Sequence, residues 1–353
     1  MAKMAEGAYA DSGVDTAQSD AAVQALVSVL GTIDAGRPSR AVMRSGHYAN
    51  VLRLDDSTGI ALSTDGVGTK VIVAEQLGRF DTVGIDCIAM NVNDLICVGA
   101  EPIALVDYIA VEQADPEMLR QIAEGLKAGA ETAGIEIPGG ELAQLPEVIK
   151  GHPSPSGFDL VGACIGLVKL DEIVTGDRIE PGDAVVGVPS SGLHSNGYTL
   201  ARRALPDLAE PFGDSTVGDA LIEPTRIYVR EVGELLRSDV DVRGLAHITG
   251  DGLLNLGRLE AAVGYRISDP LPPQPIFALI AERTSTPPEE MYEVFNMGCG
   301  MCCVVPQGEA ERAARALGGR VIGEVTDRAG IVEVAGLEGS RGKGFAPASG
   351  ASS

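Results

Sequence analysis

Apolar positions along the chain recur in two periods, and the switches between them mark out the elements. Ala22 to Leu30 is apolar at helical spacing and ends at Gly36-Arg37-Pro38, whereas residues 1–20, rich in Ala, Ser, Gly and Asp, have little to bury and read as a flexible segment. Ala49 to Leu54 and Ile60 to Thr64, joined by Asp55-Asp56-Ser57-Thr58-Gly59, predict a β-hairpin. Helical spacing returns at Val71 to Leu77 and again at Val83 to Val98, capped by Asp81-Thr82 and closed by Gly99. A strand at Ile103 to Val111, a helix from Pro116 to Ala133, a short strand at Ile135 to Pro138 and a long strand at Phe158 to Val168 complete this half.

The charged stretch between Lys169 and Asp183 breaks the pattern and sets a domain boundary, giving domains at 21–169 and 170–335. The second half predicts a strand at Ala184 to Pro189, a helix from Tyr198 to Leu205, a helix beginning in Glu223 to Tyr228, and a helix around Leu253. Further on come a strand at Ala262 to Ser268, a helix at Pro288 to Val294, a strand at Cys299 to Val305, a helix at Glu309 to Leu317 and a strand at Arg320 to Val325. Residues 336–353, mostly Gly, Ser and Ala with scattered charges, read as a disordered tail. Alternating strands and helices over 353 residues describe an α/β first domain and an α+β second.

Composition narrows the function classes. A net charge of -23 argues against a protein that tracks a nucleic-acid backbone, so any anion is bound locally. No stretch is long and apolar enough for a membrane span, and the N-terminus lacks the form of a signal peptide; a cytoplasmic protein is expected. With aromatics at 4%, the core is left to Ala, Val, Leu and Ile. Cys87, Cys97, Cys164, Cys299, Cys302 and Cys303 sit in apolar contexts and read as reduced, buried thiols. In a regular strand Cys299 and Cys303 would share a face, with Cys302 on the other.

The candidate chemistry starts at Ser63-Thr64-Asp65-Gly66-Val67-Gly68-Thr69-Lys70, where a carboxylate, two glycines, a hydroxyl and an ammonium follow an apolar strand. Asp65 suits a hard cation, the glycine N–H groups suit phosphate oxygens and Lys70 offsets their charge. The spacing is neither a Walker A loop nor a dinucleotide fingerprint, and a plain glycine turn with a surface lysine is the alternative reading. A second feature lies in the helix after Asp81-Thr82: Asp86, Asn93 and Asp94 interrupt an apolar sequence, with Asp86 and Asn93 on one face, a pattern that calls for pairing or a metal. Gly139-Gly140-Glu141 is a third candidate, two glycines followed at once by a carboxylate. In the second half, Ser190 to Gly197, with His194 and Asn196, runs from a strand into a helix N-terminus, which suits an anion. Ala246 to Gly252, with His247, is a similar glycine-hydroxyl loop, and Arg226 is placed in the first turn of its helix.

Taken together, Ser63 to Lys70, Asn91-Val92-Asn93-Asp94-Leu95, Gly99-Ala100-Glu101-Pro102 and Gly139-Gly140-Glu141 resemble, in order and spacing, the N-terminal half of aminoimidazole ribonucleotide synthetase, also called phosphoribosylformylglycinamidine cyclo-ligase. Ser190 to Gly197, Pro224 to Tyr228, Ala246 to Gly252 and Phe295 to Met301 resemble its C-terminal half. The resemblance implies an ATP-dependent ring closure that converts formylglycinamidine ribonucleotide to aminoimidazole ribonucleotide through a phosphorylated amide. It implies Mg²⁺ on Asp65, Asp94 and Glu141, and phosphate contacts from Lys70, Thr69 and the backbones of Gly66, Gly68, Gly139 and Gly140, with Asn93 alongside. His194 and His247 would assist catalysis, and Ser191, Asn196, Arg226, Thr249, Gly250 and Asn296 would face the substrate. A homodimer whose N-terminal sheets join into a barrel is also implied.

Two positions depart from the family pattern. Leu142 stands where threonine usually follows Gly-Gly-Glu, and Asp251 replaces the middle glycine of Thr-Gly-Gly-Gly, either turned away from the site or holding a cation. Thiamine-monophosphate kinase, selenide water dikinase and a hydrogenase-maturation dehydratase share the family's ATP site and are the enzymatic rivals, beside a catalytically silent nucleotide-binding paralogue.

Overall fold

The computed structural model describes residues 16–43 and 46–348. Helix α1 (Thr16–Leu30) begins inside the segment expected to be flexible, so residues 16–20 are helical; the rest of that segment lies outside the described residues. Two antiparallel-rich sheets follow, one in each half of the chain.

The first sheet contains β1 (Asn50–Arg53), β2 (Thr58–Gly66), β3 (Glu101–Val111), β4 (Glu136–Gln144) and β5 (Phe158–Lys169), in the order β1-β2-β5-β3-β4. One face carries Ala61, Leu105, Leu160, Cys164 and Val168, all buried. Against it lie α2 (Val71–Leu77), α3 (Val83–Cys97) and α4 (Pro116–Ala133). Asp115 caps α4 by accepting from the N–H groups of Glu117 and Met118, and left-handed Gly134 ends it. Helices α3 and α4 approach at glycine: a Cβ on Gly84 would lie 2.2 Å from the Leu126 nitrogen, and one on Gly125 2.3 Å from the Asp81 carbonyl oxygen. Backbone cannot yield as a side chain can, so Gly84→Val is expected to cost about 3 kcal/mol or more. A lowered denaturant midpoint at an unchanged slope would register that loss.

The opposite face of this sheet is apolar and open, with Leu62, Val106, Tyr108, Ile165 and Leu167 all exposed. Gly139-Gly140-Glu141 belongs to this sheet and not to a turn: β4 continues through it in register with Val106, Asp107 and Tyr108. The carboxylate of Asp107 explains the second glycine, because a Cβ at Gly140 would come within 2.5 Å of its Oδ1.

The second sheet runs β15-β14-β13-β10-β12-β6-β11-β9. Its strands are β6 (Ala184–Pro189), β9 (Gly244–His247), β10 (Gly264–Ile267), β11 (Cys299–Val305), β12 (Arg320–Thr326), β13 (Val332–Val334), β14 (Leu337–Ser340) and β15 (Gly344–Pro347). Strands β6 and β11, between β12 and the edge strand β9, are buried almost throughout. The helices of this half are α5 (Tyr198–Ala204), α6 (Val217–Ile222), α7 (Val229–Leu236), α8 (Pro275–Thr284), α9 (Pro288–Val294) and α10 (Ala310–Leu317); a two-stranded ribbon, β7 (Pro211–Phe212) with β8 (Ser215–Thr216), precedes α6.

Residues 337–347 correct the expectation of a disordered tail. Leu337 and Phe345 are buried, Gly336, Gly342 and Gly344 take the left-handed conformation that closes the turns, and the Phe345 N–H donates to Glu293 at 2.5 Å. Strand β11 departs from simple alternation as well. A register shift between Cys299 and Met301 brings the Cys299 and Cys302 sulfurs to 3.6 Å, on the same side of the strand. All six cysteines are free thiols, and no helix among the described residues is long and apolar enough to cross a membrane.

Candidate active site

The polar residues of α3 meet the second half of the chain. Asn93 is fully buried; its amide donates to the Arg226 carbonyl at 2.9 Å and its Oδ1 accepts from the Tyr228 N–H at 3.0 Å. Asp86, also fully buried, accepts from the N–H and hydroxyl of Thr225 at 2.7 and 2.6 Å. Asp94 lies 2.9 Å from His247 Nδ1, at the end of β9. An apolar helix spends three polar residues here because each has a partner across the interface. For Asn93 this replaces the expected nucleotide contact, since both ends of its amide are occupied.

Asp65 ends β2 at the same junction. Its Oδ1 accepts from the Gly66 N–H at 2.7 Å, yet burial and the neighbouring Asp94 push its carboxyl up to about 6, against the opposing pull of that N–H, His247 and Arg258. A carboxyl raised by burial beside a second carboxylate marks a place where added positive charge is favoured. His247 is wholly buried, and its Nε2 has no partner. Gly68 and Thr69 are exposed, Gly68 is left-handed, and the Thr69 hydroxyl lies 3.3 Å from that of Thr199 on α5.

Other expected site residues are placed differently. Glu141 does not join Asp65 and Asp94. Paired residues share a face, so the row Asp65, Gly162, Asp107, Gly140 puts Glu141 on the opposite side of the sheet, beside exposed Tyr108. Among the described residues no group of three or more His, Cys, Asp or Glu is arranged to hold a metal ion. Gly139 and Gly140 lie within that ladder as well.

Lys70 is fully buried and bound to Asp86. His194 is fully buried in a left-handed loop conformation: its Nε2 accepts from the Ser191 N–H at 3.2 Å, its Nδ1 has no partner, and burial holds its pKa far below the usual range, so the ring is neutral. The ring sits against Gly300, where a Cβ would come within 2.7 Å of it. Asn296 is a loop tie, donating to the carbonyls of Gly192 and Leu193 and accepting from Ser190 Oγ and the Gly298 N–H. Ser191 Oγ donates to the Pro224 carbonyl at 2.6 Å. Arg226 precedes its helix, which starts at Val229, and pairs with Glu231 while lying 5.0 Å from the Tyr228 ring. Asn196, Thr249 and Gly250 remain partly exposed, and a Cβ on Gly250 would lie 3.5 Å from the Asn196 amide. Asp251 is exposed and left-handed, so the position keeps the backbone a glycine would supply and turns its charge outward.

His47 and Arg258 join the site without having been expected there. Burial lowers the His47 pKa to about 4, against the pull of the Thr175 backbone and within reach of the charges of Arg258 and Asp94. Arg258 lies 5.0 Å from the ring of Tyr48, whose hydroxyl donates to the Asn255 carbonyl at 2.9 Å. The scarcity of histidine, four in the chain, was the available signal for His47; Arg258 had none. Asp107, inside β3, lies in the same row as Asp65, and burial raises its pKa too.

Comparison with known proteins adds an independent finding. Residues 46–168 match the family model described as AIR synthase related protein, N-terminal domain, and residues 180–335 match the corresponding C-terminal domain. The phosphoribosylformylglycinamidine cyclo-ligase of Methanothermobacter thermautotrophicus is 49% identical over 340 residues, 94% of this chain and 98% of the relative. That of Methanobrevibacter smithii is 50% identical over 331 residues, 90% of this chain and 94% of the relative. Among solved structures, AaThiL complexed with AMPPCP and TMP has the same fold, with a TM-score of 0.65 at 18% identity over 91% of this chain and 94% of that one.

Proposed function

The chain belongs to the AIR synthase family, and from that membership we propose that it is an ATP-dependent cyclo-ligase converting formylglycinamidine ribonucleotide to aminoimidazole ribonucleotide, ADP and phosphate. An amide oxygen is a poor leaving group. Transfer of the γ-phosphoryl group to that oxygen makes an iminophosphate; the amidine nitrogen then attacks the activated carbon, the C–O bond breaks and phosphate departs. Holding donor and acceptor together while neutralising charge supplies most of the acceleration.

The observation that carries this reading is the convergence of Asp65 and Asp94 from the first half with His247 from the second. In this reading residues 21–169 are the ATP-binding and dimerisation domain and residues from 170 onward the substrate-binding domain. Asp65 and Asp94 would hold Mg²⁺, which needs only one or two carboxylates when phosphate oxygens complete its shell, and the raised carboxyl of Asp65 fits such a cation. When bound, the ion neutralises phosphate charge. His247, with Nδ1 fixed by Asp94, has Nε2 left to exchange a hydrogen bond with the substrate. Asn196, Thr249 and Gly250 contact the ribonucleotide. Free thiols throughout support a cytoplasmic enzyme.

Incubating the purified protein with formylglycinamidine ribonucleotide, ATP and Mg²⁺ should yield the aminoimidazole product. Nucleotide binding without product would replace this reading with a silent paralogue, and phosphorylation of another small molecule with a kinase.

The open apolar face of the first sheet supports a homodimer in which two such sheets close a barrel. Placing charge there, as in Tyr108→Glu with Ile165→Glu, is expected to yield a monomer by sedimentation velocity. An unchanged dimer would move the interface elsewhere.

A further inference from the structure

We propose that Lys70 and Asp86 form a positioning pair that sets the nucleotide-bearing turn of the first domain against the substrate-bearing loops of the second, and that Lys70 is not a phosphate ligand. The proposal rests on the cyclo-ligase reading for the identity of the two substrates, though its geometry stands without it.

Lys70 closes the run that begins at Asp65, so wherever its ammonium is held, the turn bearing Gly66, Gly68 and Thr69 is held too. That ammonium lies 2.9 Å from both oxygens of Asp86 and donates to the carbonyls of His194 at 3.1 Å and Glu223 at 2.6 Å. A lysine has three N–H donors. Asp86 and the two carbonyls use all of them, and both charged side chains have 0% exposure.

The two carbonyls belong to different loops of the second domain. One loop runs from Ser190 to Gly197 and carries Ser191 and Asn196; the other, from Glu223 to Tyr228, carries Arg226. Asp86 adds to the same joint from α3, accepting from Thr225 N–H and Oγ1 and, at 3.4 Å, from Ser195 Oγ. The Ser195 carbonyl in turn faces the open side of Gly68, 3.7 Å from where a Cβ would stand. One ion pair therefore joins four segments, among them the turn with the expected nucleotide contacts and two loops with expected substrate contacts. A buried ion pair is a poor source of net stability, because the attraction largely repays desolvation. What it supplies is a fixed geometry, and phosphoryl transfer between ligands held on two domains is sensitive to displacements of an ångström.

The test compares wild-type enzyme with Lys70→Met, Asp86→Asn and Thr225→Val. AMPPCP affinity is measured by calorimetry, kcat and KM for formylglycinamidine ribonucleotide by turnover, and folding by thermal melting. The expected result is AMPPCP affinity within about threefold of wild type in every folded variant, as for a group that touches no phosphate. For Lys70→Met and Asp86→Asn, kcat/KM should fall about 100-fold, as for a misaligned reacting pair, with a smaller fall for Thr225→Val. The Lys70→Met/Asp86→Asn double variant should be no worse than the poorer single one. A tenfold or greater loss of AMPPCP affinity confined to Lys70→Met would make Lys70 a phosphate ligand and overturn the proposal. A lower melting temperature with kcat and KM unchanged would reduce the pair to a stabilising contact and overturn it equally. Should Lys70→Met fail to fold, Thr225→Val, which keeps both charges, decides between these outcomes. Failure of the cyclo-ligase reading itself would appear separately, as absence of product from the wild-type enzyme.

Discussion

Asp65→Asn is expected to lower kcat about 10³-fold, the scale on which removing an electrostatic partner of the reacting phosphate acts, while making the folded protein more stable at neutral pH. The two effects share one cause. Burial and Asp94 raise the Asp65 carboxyl from 3.8 to about 6, so its ionised form is disfavoured in the folded chain and costs nothing extra in the unfolded one. For an acid whose folded pKa is raised, stability is greatest below the unfolded pKa and falls as pH rises through the folded one. The wild-type penalty therefore develops between about pH 4 and pH 6 and is complete above that.

A shift of that size corresponds to about 3 kcal/mol, and an asparagine, neutral throughout, escapes it. The melting temperature of Asp65→Asn should exceed that of wild type by about 5 °C at pH 8, with the gain vanishing below pH 4. Near-normal activity would remove Asp65 from the metal site. A variant no more stable at pH 8 than at pH 4, relative to wild type, would show that the carboxylate is relieved by something other than a bound cation.

The second large effect concerns the bond between Asp94 and His247, 2.9 Å long and spanning the two halves of the chain. Asp94→Asn and His247→Ala are each expected to lower kcat/KM about 100-fold, and the double variant to lower it far less than the 10⁴-fold that independence requires. A fully buried imidazole without its Nδ1 partner loses the tautomer and orientation that leave Nε2 available. Multiplicative losses would mean that the two residues act separately, with Asp94 serving the metal alone.

Much of the architecture was legible in the pattern of residues. The strand at Phe158 to Val168 and the helix at Pro116 to Ala133 appear within a residue of their expected bounds, because alternation and an Asp-Pro start with a glycine stop are local signals. What could not be read was which side of an element a residue serves once another chain segment arrives. Lys70 reads as a phosphate contact because a positive charge follows a glycine turn; its side chain is claimed by Asp86, 16 positions on, and by carbonyls more than a hundred positions away. Asn93 and Asn296 likewise carry the donors and acceptors of a ligand site but spend them on backbone. The family resemblance groups Glu141 with Asp65, and strand register puts the two on opposite faces of the sheet. Polar residues advertise an unsatisfied need, and the sequence does not say whether a ligand or the protein meets it.

The last two strands bear on how the molecule avoids sticking to its neighbours. Strands β14 and β15 pair in series onto β13, and β15 is short and carries Pro347, a residue without an N–H to offer. A chain cut after Ala335 would leave β13 as the outer strand, its hydrogen-bonding groups bare and the places of Leu337 and Phe345 vacant. Such an edge is a template for cross-chain β-pairing. Strands β14 and β15 thus serve as a guard against aggregation.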